Sequence, residues 1–286
     1  MIRAAVFGAG QAGRMIRCWL PAGQDIICYI DNNEKIQGTE IDGIPVLSLA
    51  QALTLQPDRV WIATLNMEAS SAIEQQLRDA GYTGTLRYAW AFRDAQDPRL
   101  ASVRLIAREI EGRGIDGAVA ELGVYRGELA AELSRLFPDR PLYLFDTFEG
   151  FPEEDLATEA GFTQGRKVWH PDFSDTSIEL VRSKLADPDR AVFVPGRFPE
   201  SLEQIDDPET LTYAFVSLDP DLYEPVLQGL EYFWPRMERG GMIVIHDYNS
   251  MQFPGVRAAV QEFCDRNRLM PVPLCDLHGT AVLVKG

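Results

Sequence analysis

Short β-branched or apolar runs alternate along this chain with segments whose apolar residues recur at helical spacing. In the first half this pattern predicts strands near Arg3–Phe7, Ile26–Tyr29 and Val60–Ala63, and helices near Ala12–Leu20 and Glu68–Ala80. Strands that alternate with helices are typical of a parallel sheet covered by helices. We therefore predict an α/β fold.

The second half repeats the alternation and closes on two short strands. The pattern predicts helices near Leu100–Gly112, Gly127–Phe137, Ser177–Ala186, Tyr223–Met237 and Gly255–Arg268, and strands near Ala118–Leu122, Leu142–Phe145, Ala191–Val194, Tyr213–Leu218, Met242–Ile245, Pro271–Leu274 and Thr280–Val284. The last two form a predicted hairpin, which must add an antiparallel strand at the sheet edge. The stretch Arg93–Pro98, with its Asp and Pro residues, predicts a linker. We expect two Rossmann-like domains, 1–92 and 99–286.

Composition and charge narrow the classes of partner. The chain has 286 residues, of which 46% are hydrophobic and 24% charged, as in ordinary globular proteins. Its net charge of -16 repels phosphate backbones and anionic lipids, so we expect neither a nucleic acid nor a membrane partner. The four cysteines are scattered without a C-x-x-C pair, which is typical of a reducing compartment, and we expect a cytoplasmic protein.

A glycine motif, Gly8-x-Gly10-x-x-Gly13, follows the first predicted strand and opens the first predicted helix. Glycines at such a turn bring backbone amides and a helix N-terminus close to a pyrophosphate. Asp31 ends the next strand, where a carboxylate can hold ribose hydroxyls. The motif predicts a nucleotide site at Gly8, Gly10, Gly13 and Asp31, and the alternative is a unit that only packs or dimerises.

The stretch from Asp31 to Val46 resembles the small N-terminal domains of nucleotide-sugar-modifying enzymes. In those domains the pocket holds a nucleotide sugar rather than a redox cofactor. The first half also lacks a Tyr-x-x-x-Lys pair, which disfavours hydride transfer. The resemblance implies a substrate linked to a nucleotide or another carrier.

A second glycine turn, Glu121-Leu122-Gly123-Val124-Tyr125-Arg126-Gly127, does not have the spacing of a phosphate loop. An acid followed by two glycines suits a ligand with an amino acid moiety and a ribose. Asp146 ends the next predicted strand, where its carboxylate can take both ribose hydroxyls of an adenosyl group. Glycines at such turns are also often purely conformational.

The segment from Phe145 to Pro152, Phe-Asp-Thr-Phe-Glu-Gly-Phe-Pro, resembles the D-[ST]-F-x-G-x-P signature of the macrocin O-methyltransferase (TylF-like) family. Further segments match that family in order: Phe173–Ser177, Gly196–Leu202, Leu218–Glu224 and Gly240–Tyr248. The resemblance runs from about Leu105 to the C-terminus. It implies a class I methyltransferase domain that methylates sugar hydroxyls with S-adenosylmethionine and magnesium. It also implies that the donor is bound by Glu121, Gly123, Tyr125, Asp146, Thr147, Phe148 and Ser174.

Four potential metal ligands follow two predicted strands: Asp219 and Asp221 follow one, and His246 and Asp247 the other. Ligands of an open α/β sheet gather at the carboxyl ends of its strands. If the two strands are neighbours, three carboxylates and an imidazole converge, and they repel one another unless a cation is bound. The alternative is an acidic rim, in which Asp221 caps a helix.

The family resemblance assigns roles to these residues. Asp219, His246 and Asp247 take the positions of metal ligands, and Asp221 that of a general base. The family usually has two adjacent aspartates where this chain has His246-Asp247. An imidazole ligand shifts the preference from magnesium toward manganese or softer metals, unless His246 does not bind metal at all. Two vicinal hydroxyls that chelate the metal are oriented and acidified, and Asp221 takes the proton.

The loop from Thr163 to Pro171 carries basic and aromatic residues in an otherwise acidic chain. Arg166, Lys167 and His170 are candidates to receive an anionic substrate, and Trp169 to stack on a sugar ring. The alternative is a solvated loop with a packed tryptophan. His278, in the predicted final turn, is interpreted as structural.

Together these patterns predict a metal-dependent O-methyltransferase acting on a sugar or polyol, with Mg or Mn as the metal and a homo-oligomeric assembly. Two alternatives stay open: a nucleotide-dependent oxidoreductase, and a non-catalytic nucleotide-sugar-binding module with a vestigial methyltransferase fold. A catechol-type acceptor is also open, because it too offers a vicinal diol.

Overall fold

A computed structural model describes residues 1–21, 23–91, 97–163, 172–276 and 279–286. The chain divides into two compact units, one comprising Met1–Pro98 and Cys275–Leu277, the other Arg99–Leu274 and His278–Gly286. Each unit contains one sheet, and both sheets are mostly parallel with antiparallel strands at an edge. The predicted α/β class is confirmed.

The first unit has a six-stranded sheet in the order β3-β4-β2-β1-β5-β6. Its elements are β1 Ile2–Phe7, α1 Gln11–Trp19, β2 Gln24–Ile30, β3 Glu40–Ile41, β4 Ile44–Leu47, α2 Leu49–Thr54, β5 Arg59–Ile62, α3 Met67–Asp79 and β6 Thr85–Tyr88. Within this unit, β3 is the one described strand that runs antiparallel to its neighbour. The sequence prediction missed β3, β4, β6 and α2, because elements of two to six residues are too short to show a period.

The second unit has a seven-stranded sheet in the order β12-β13-β11-β10-β7-β8-β9. Its elements are α4 Pro98–Gly112, β7 Ala118–Leu122, α5 Glu128–Leu136, β8 Leu142–Asp146, α6 Glu153–Glu159, α7 Ile178–Arg182, β9 Ala191–Pro195, β10 Tyr213–Leu218, α8 Tyr223–Arg236, β11 Met237–Ile245, α9 Pro254–Asn267, β12 Val272–Pro273 and β13 Ala281–Val284, with 3₁₀ turns at Pro188–Arg190, Glu200–Gln204 and Pro208–Thr210. Strand β13 runs antiparallel to both β11 and β12, so the predicted edge hairpin is confirmed.

The core of the second unit lies on both faces of its sheet. In β7, Ala118, Ala120 and Leu122 pack into one apolar cluster, whereas Val119 packs into the other. Strands covered on both faces are apolar along nearly their whole length, as β10 is, with every residue from Tyr213 to Leu218 buried. Because β7, β8, β10 and β11 are parallel, their carboxyl ends lie at one edge. Among the described residues, the helices lack the combined length and apolar character that a membrane crossing requires.

Candidate active site

A cavity of about 480 Å3 opens at the carboxyl ends of β7, β8, β10 and β11. Most of the residues predicted for the donor and metal sites line it, namely Glu121, Gly123, Tyr125, Asp146, Thr147, Asp219, Asp221, His246 and Asp247. Phe148 and Ser174, also predicted to bind the donor, are not among its lining residues. The structure thus gathers at one edge side chains that are up to 126 positions apart, as the rule for open α/β sheets predicts.

Asp146 shapes the second glycine turn. Its Oδ2 accepts hydrogen bonds from the backbone N–H groups of Val124 (2.6 Å) and Tyr125 (2.8 Å), and its Oδ1 accepts one from Phe148 (2.7 Å). A carboxylate accepts about four hydrogen bonds. Asp146 therefore retains about one position for a ligand hydroxyl, where the sequence analysis assigned it two.

Hydrogen bonds that involve Asp175 and Thr176 also hold this turn. The sequence analysis did not single out Asp175 for a role. The Tyr125 hydroxyl donates to Asp175 Oδ1 at 2.6 Å, and Arg126 pairs with Asp175 Oδ2 at 3.2 Å. The Thr176 hydroxyl donates to the Tyr125 carbonyl. These contacts fix the segment after Phe173 against the turn and bring the ring of Phe173 edge-to-face with Tyr125.

Glu121 is a buried acid at the end of β7, only 2% exposed. Its Oε2 has no hydrogen-bond partner among the residues that the structure describes. Burial raises the pKa of Glu121 well above its ordinary value. A cationic group bound in the cavity would relieve this cost, so Glu121 is suited to an ammonium group.

The four predicted metal ligands converge. Strands β10 and β11 are neighbours, and Leu218 pairs with Ile245 at their carboxyl ends. One ligand atom from each of Asp219, Asp221, His246 and Asp247 lies within 4.8 Å of the others. Three carboxylates with one imidazole form a donor set that suits a divalent ion of the Mg–Mn series, so the residues fit a metal.

In the protein alone, protons and a neighbouring cation offset the negative charge of this cluster. His246 Nδ1 lies 2.7 Å from both Asp219 Oδ1 and Asp247 Oδ2. Burial lowers the pKa of His246, but Asp219 and its other partners outweigh this and raise the pKa to about 9. Burial and the charges of Asp219 and Asp247 raise the pKa of Asp221 well above its ordinary value. These shifts favour the imidazolium form of His246 and the protonated form of Asp221 in the protein alone.

Arg99, in the first turn of α4, is a site residue that sequence reasoning missed. Its Nη2 donates to Asp219 Oδ2 at 2.7 Å, across 120 positions of the chain. Burial raises the pKa of Asp219, but Arg99 and His246 outweigh this effect and hold the pKa below its ordinary range. Since two cations already face the carboxylates, repulsion alone does not require a metal ion here. The donor set and its geometry carry that argument instead.

Backbone strain also marks the cavity. Tyr125 (φ 47°), Asp221 (φ 62°) and Asp247 (φ 54°) all adopt left-handed conformations. The N–H of Leu222 donates to the carbonyl of Pro220 at 2.7 Å, which closes a tight three-residue turn around Asp221. Such conformations cluster at functional sites, where surrounding contacts hold them.

In the first unit the glycine motif forms a turn of its own. A Cβ at Gly13 would stand 1.9 Å from the Gly8 carbonyl oxygen, so the packing of α1 on the turn requires glycine there. A Cβ at Gly10 would meet nothing within 4 Å. Asp31 accepts from the N–H groups of Ala9 (2.9 Å) and Asn33 (2.8 Å), as Asp146 does from its own turn. Gly10 therefore leaves open space for a ligand at the start of α1.

Several candidate residues of the sequence analysis lie outside the described residues. They are Arg166, Lys167, Trp169 and His170 of the basic loop, and His278.

Comparison with known proteins gives two family matches. The sequence model of the macrocin O-methyltransferases matches residues 50–285, and one described as C2185-like, N-terminal matches residues 1–85. A relative from Streptomyces olivaceus, 8-demethyl-8-(2,3-dimethoxy-alpha-L-rhamnosyl)-tetracenomycin-C 4'-O-methyltransferase, is 28% identical over 64% of this chain and 71% of its own length. Demethyldecarbamoylnovobiocin O-methyltransferase from Streptomyces niveus is 28% identical over 58% of this chain and 64% of its own.

Among solved structures, the O-methyltransferase NovP matches with a TM-score of 0.54 and 25% identity. The match covers 66% of this chain and 79% of NovP. The matched regions thus span about two thirds to four fifths of these relatives.

Proposed function

The chain belongs to the macrocin O-methyltransferase family, and we propose that it transfers a methyl group from S-adenosylmethionine to a hydroxyl group of a sugar or polyol, with a divalent metal ion bound at the cavity. The names of the relatives support the acceptor class. One is named as the 4'-O-methyltransferase of a rhamnosyl tetracenomycin, and another as demethyldecarbamoylnovobiocin O-methyltransferase. The family match disfavours an oxidoreductase.

The donor is assigned to the glycine turn between β7 and α5. Gly123 and Tyr125 supply the backbone of this turn, and Asp146 holds it in shape through three amide hydrogen bonds. Glu121 lines the cavity and offers to the ammonium group of the donor an Oε2 that has no hydrogen-bond partner among the described residues. Thr147 lines the same wall, next to Asp146.

The metal ion is assigned to Asp219, His246 and Asp247. The observation that carries this assignment is the convergence of their ligand atoms, with one from Asp221, within 4.8 Å at adjacent strand ends. A bound divalent ion supplies Lewis acidity, which lowers the pKa of a coordinated hydroxyl group. His246 would bind a metal ion only as neutral imidazole, so binding would require the imidazole, whose Nδ1 lies 2.7 Å from both aspartates, to be deprotonated.

Asp221 is assigned as the general base. It belongs to the same cluster and lines the same cavity, and its tight turn holds it in a fixed conformation. Asp221 would act in its ionised form, which a cation bound beside it would favour, and would accept the hydroxyl proton while the oxygen–methyl bond forms and the sulfur–methyl bond breaks. The sulfonium then leaves as a neutral thioether, so no further reactant is needed.

We assign a nucleotide, as part of a nucleotide-linked substrate, to the first unit. Gly8 and Gly13 shape the turn, Asp31 holds it, and Gly10 leaves room for a phosphate at the start of α1.

Titration calorimetry with S-adenosylhomocysteine, with and without Mn²⁺ or Mg²⁺, tests the main proposal. We expect binding that Asp146→Ala abolishes, and metal-linked heat that Asp219→Ala removes. A protein that binds S-adenosylhomocysteine but no metal would retain the methyltransferase assignment and overturn the metal. A protein that binds neither would overturn both.

A further inference from the structure

Glu159, at the end of α6, is a buried carboxylate that no role assigned so far explains. It is 6% exposed. Its Oε2 accepts a hydrogen bond from the N–H of Tyr223 at 3.0 Å, and its Oε1 accepts one from the N–H of Gly255 at 2.9 Å. These two donors belong to different helices, α8 and α9, so one carboxylate joins the first turns of both.

Both helices need an outside partner at this position. The residues that precede them, Leu222 and Phe253, make no side-chain capping hydrogen bond. The first N–H groups of a helix have no partner within the helix and are costly to bury unpaired. A carboxylate that lies between two helix N-termini also interacts favourably with both helix dipoles. Glu159 therefore acts as a shared N-cap supplied from elsewhere in the fold.

Each capped helix follows a proposed site residue along the chain: α8 comes after Asp221, and α9 begins at Pro254, seven positions after Asp247. Tyr223 is two positions after Asp221, whose left-handed conformation is closed by the contact from Leu222 to Pro220. A strained turn keeps its shape only where its flanks are fixed. The hydrogen bond to Glu159 fixes the downstream flank of Asp221.

The link to Asp247 runs through Ser250. The N–H of Ser250 donates to the Asp247 carbonyl at 2.8 Å, and the Ser250 hydroxyl accepts from Gln252 at 3.1 Å and from Phe253 at 3.4 Å. Gly255 then follows in the first turn of α9. A Cβ at Gly255 would stand 2.0 Å from Glu159 Oε2, so this position admits the carboxylate only because it is glycine.

We propose that Glu159 is a positioning residue that holds Asp221 and Asp247 in register by capping both helices. The inference rests on the proposed metal site, and it concerns a residue that is not among those lining the cavity. Removing a partner that hydrogen-bonds a metal ligand directly typically weakens metal binding about 10- to 100-fold. Glu159 acts one contact further out, through Tyr223 and Gly255, so we expect a loss near the lower end of that range.

The test compares three variants of the full chain. Glu159→Gln keeps the size of the side chain but turns one acceptor into a donor that faces an N–H. Gly255→Ala displaces the carboxylate from the opposite side and leaves Glu159 unchanged. Glu132→Gln is the control, because Glu132 pairs with Arg104 on helix surfaces away from the cavity. Circular dichroism confirms that each variant is folded, and Gly255→Ala carries the test if Glu159→Gln is not.

Two measurements are made on each variant: the Kd of Mn²⁺ by calorimetry, and hydrogen exchange of the Tyr223 and Gly255 amides. We expect Glu159→Gln and Gly255→Ala to raise the Kd about 10-fold or more and to speed exchange at both amides, with Glu132→Gln unchanged. An unchanged Kd or unchanged exchange in a folded Glu159→Gln protein would overturn the inference. If the unaltered protein binds no Mn²⁺, the metal assignment fails instead, and exchange alone decides whether Glu159 holds the two turns.

Discussion

Gly123 and Asp219 are in direct backbone contact: a Cβ at position 123 would stand 2.2 Å from the Asp219 carbonyl oxygen and 2.8 Å from the nitrogen of Pro220. The glycine turn assigned to the donor is therefore packed against the turn that carries the proposed metal ligands. Gly123 also has a φ of +87°, which other residues rarely adopt. A larger residue at position 123 would therefore displace both the glycine turn and the turn that carries Asp219.

We accordingly predict that Gly123→Ala lowers stability by about 2–5 kcal/mol, from overpacking and backbone strain together. The variant should lose affinity for both S-adenosylhomocysteine and Mn²⁺, because the turn and the Asp219 backbone must move apart. Thermal unfolding and the two titrations measure this. Retained Mn²⁺ affinity with lost donor affinity would show that the two turns move independently.

Arg99 and Asp219 form the second relationship with a measurable consequence. In Arg99→Met the carboxylate of Asp219 stays mostly buried, and among the described residues it keeps His246 as its cationic partner. We expect the variant to be less stable by about 3 kcal/mol without metal, since one partner of a mostly buried pair is removed. Added Mn²⁺ should raise its Tm by more than it raises that of the unaltered protein, because the ion replaces the lost charge.

The outcome that would count against this reading is an equal Mn²⁺ effect on both proteins, measured by thermal unfolding. Arg104→Met is a suitable control, because Arg104 is half-exposed and pairs with Glu132. Its stability should change by less than about 1 kcal/mol, and its response to Mn²⁺ should be unaltered.

Asp221→Asn separates the proposed base from the proposed ligands. Asparagine retains the shape of the protonated acid, which is the form that burial and neighbouring charges favour in the protein alone. We expect folding and Mn²⁺ affinity to be retained and kcat to fall about 10²- to 10⁴-fold. Asp219→Asn should instead lose Mn²⁺ affinity. A kcat within about threefold of the original in Asp221→Asn would remove Asp221 from the role of base.

The convergence of the cavity side chains could be predicted from the sequence because the pattern that predicts it is local. Each of these side chains lies at or just after the end of a strand that the run of apolar residues predicts, and parallel strands end at the same edge of a sheet. The class of the fold and its terminal hairpin could be predicted for the same reason, since periodicity and turn residues are read within a few positions.

Contacts between distant segments could not be predicted in this way. Arg99 meets Asp219 across 120 positions, and Glu159 meets Gly255 across 96. No local pattern distinguishes either residue from the many Arg and Glu residues on helix surfaces. The three hydrogen bonds from backbone N–H groups to Asp146 were also missed, because they depend on the conformation of two turns rather than on residue type.

These three hydrogen bonds lead to a further prediction for Asp146→Asn. In either orientation of the new amide, an NH₂ group faces at least one backbone N–H, so the turn loses acceptors and gains a repulsion. We expect a loss of about 2 kcal/mol in stability and at least a 10-fold weaker binding of S-adenosylhomocysteine. Asp175→Asn, at a carboxylate whose side chain is 64% exposed, should cost less than about 1 kcal/mol. Equal stability losses in the two variants would contradict the structural role of Asp146.

The first glycine motif allows packing to be separated from ligand binding within three residues. Gly13→Ala places a Cβ against the Gly8 carbonyl oxygen, and we expect it to destabilise the first unit by about 3 kcal/mol. Gly10→Ala meets no neighbouring atom and should cost less than about 1 kcal/mol, since Gly10 only precedes α1 as its N-cap. Hydrogen exchange of peptides within residues 1–21 assigns each change to this unit.

If a nucleotide binds at this turn, Gly10→Ala should weaken its binding strongly although it hardly changes the stability of the unit. The methyl group of Gly10→Ala then stands in the space left for a phosphate, so binding of UDP-glucose, measured by calorimetry, should fall about 10-fold or more in a protein of nearly original stability. NADH serves as the comparison ligand, because a dinucleotide would approach the same turn. UDP-glucose binding that survives Gly10→Ala unchanged would move the site away from this turn. Binding of neither ligand to the unaltered protein would leave the motif with the packing role that Gly13 already explains.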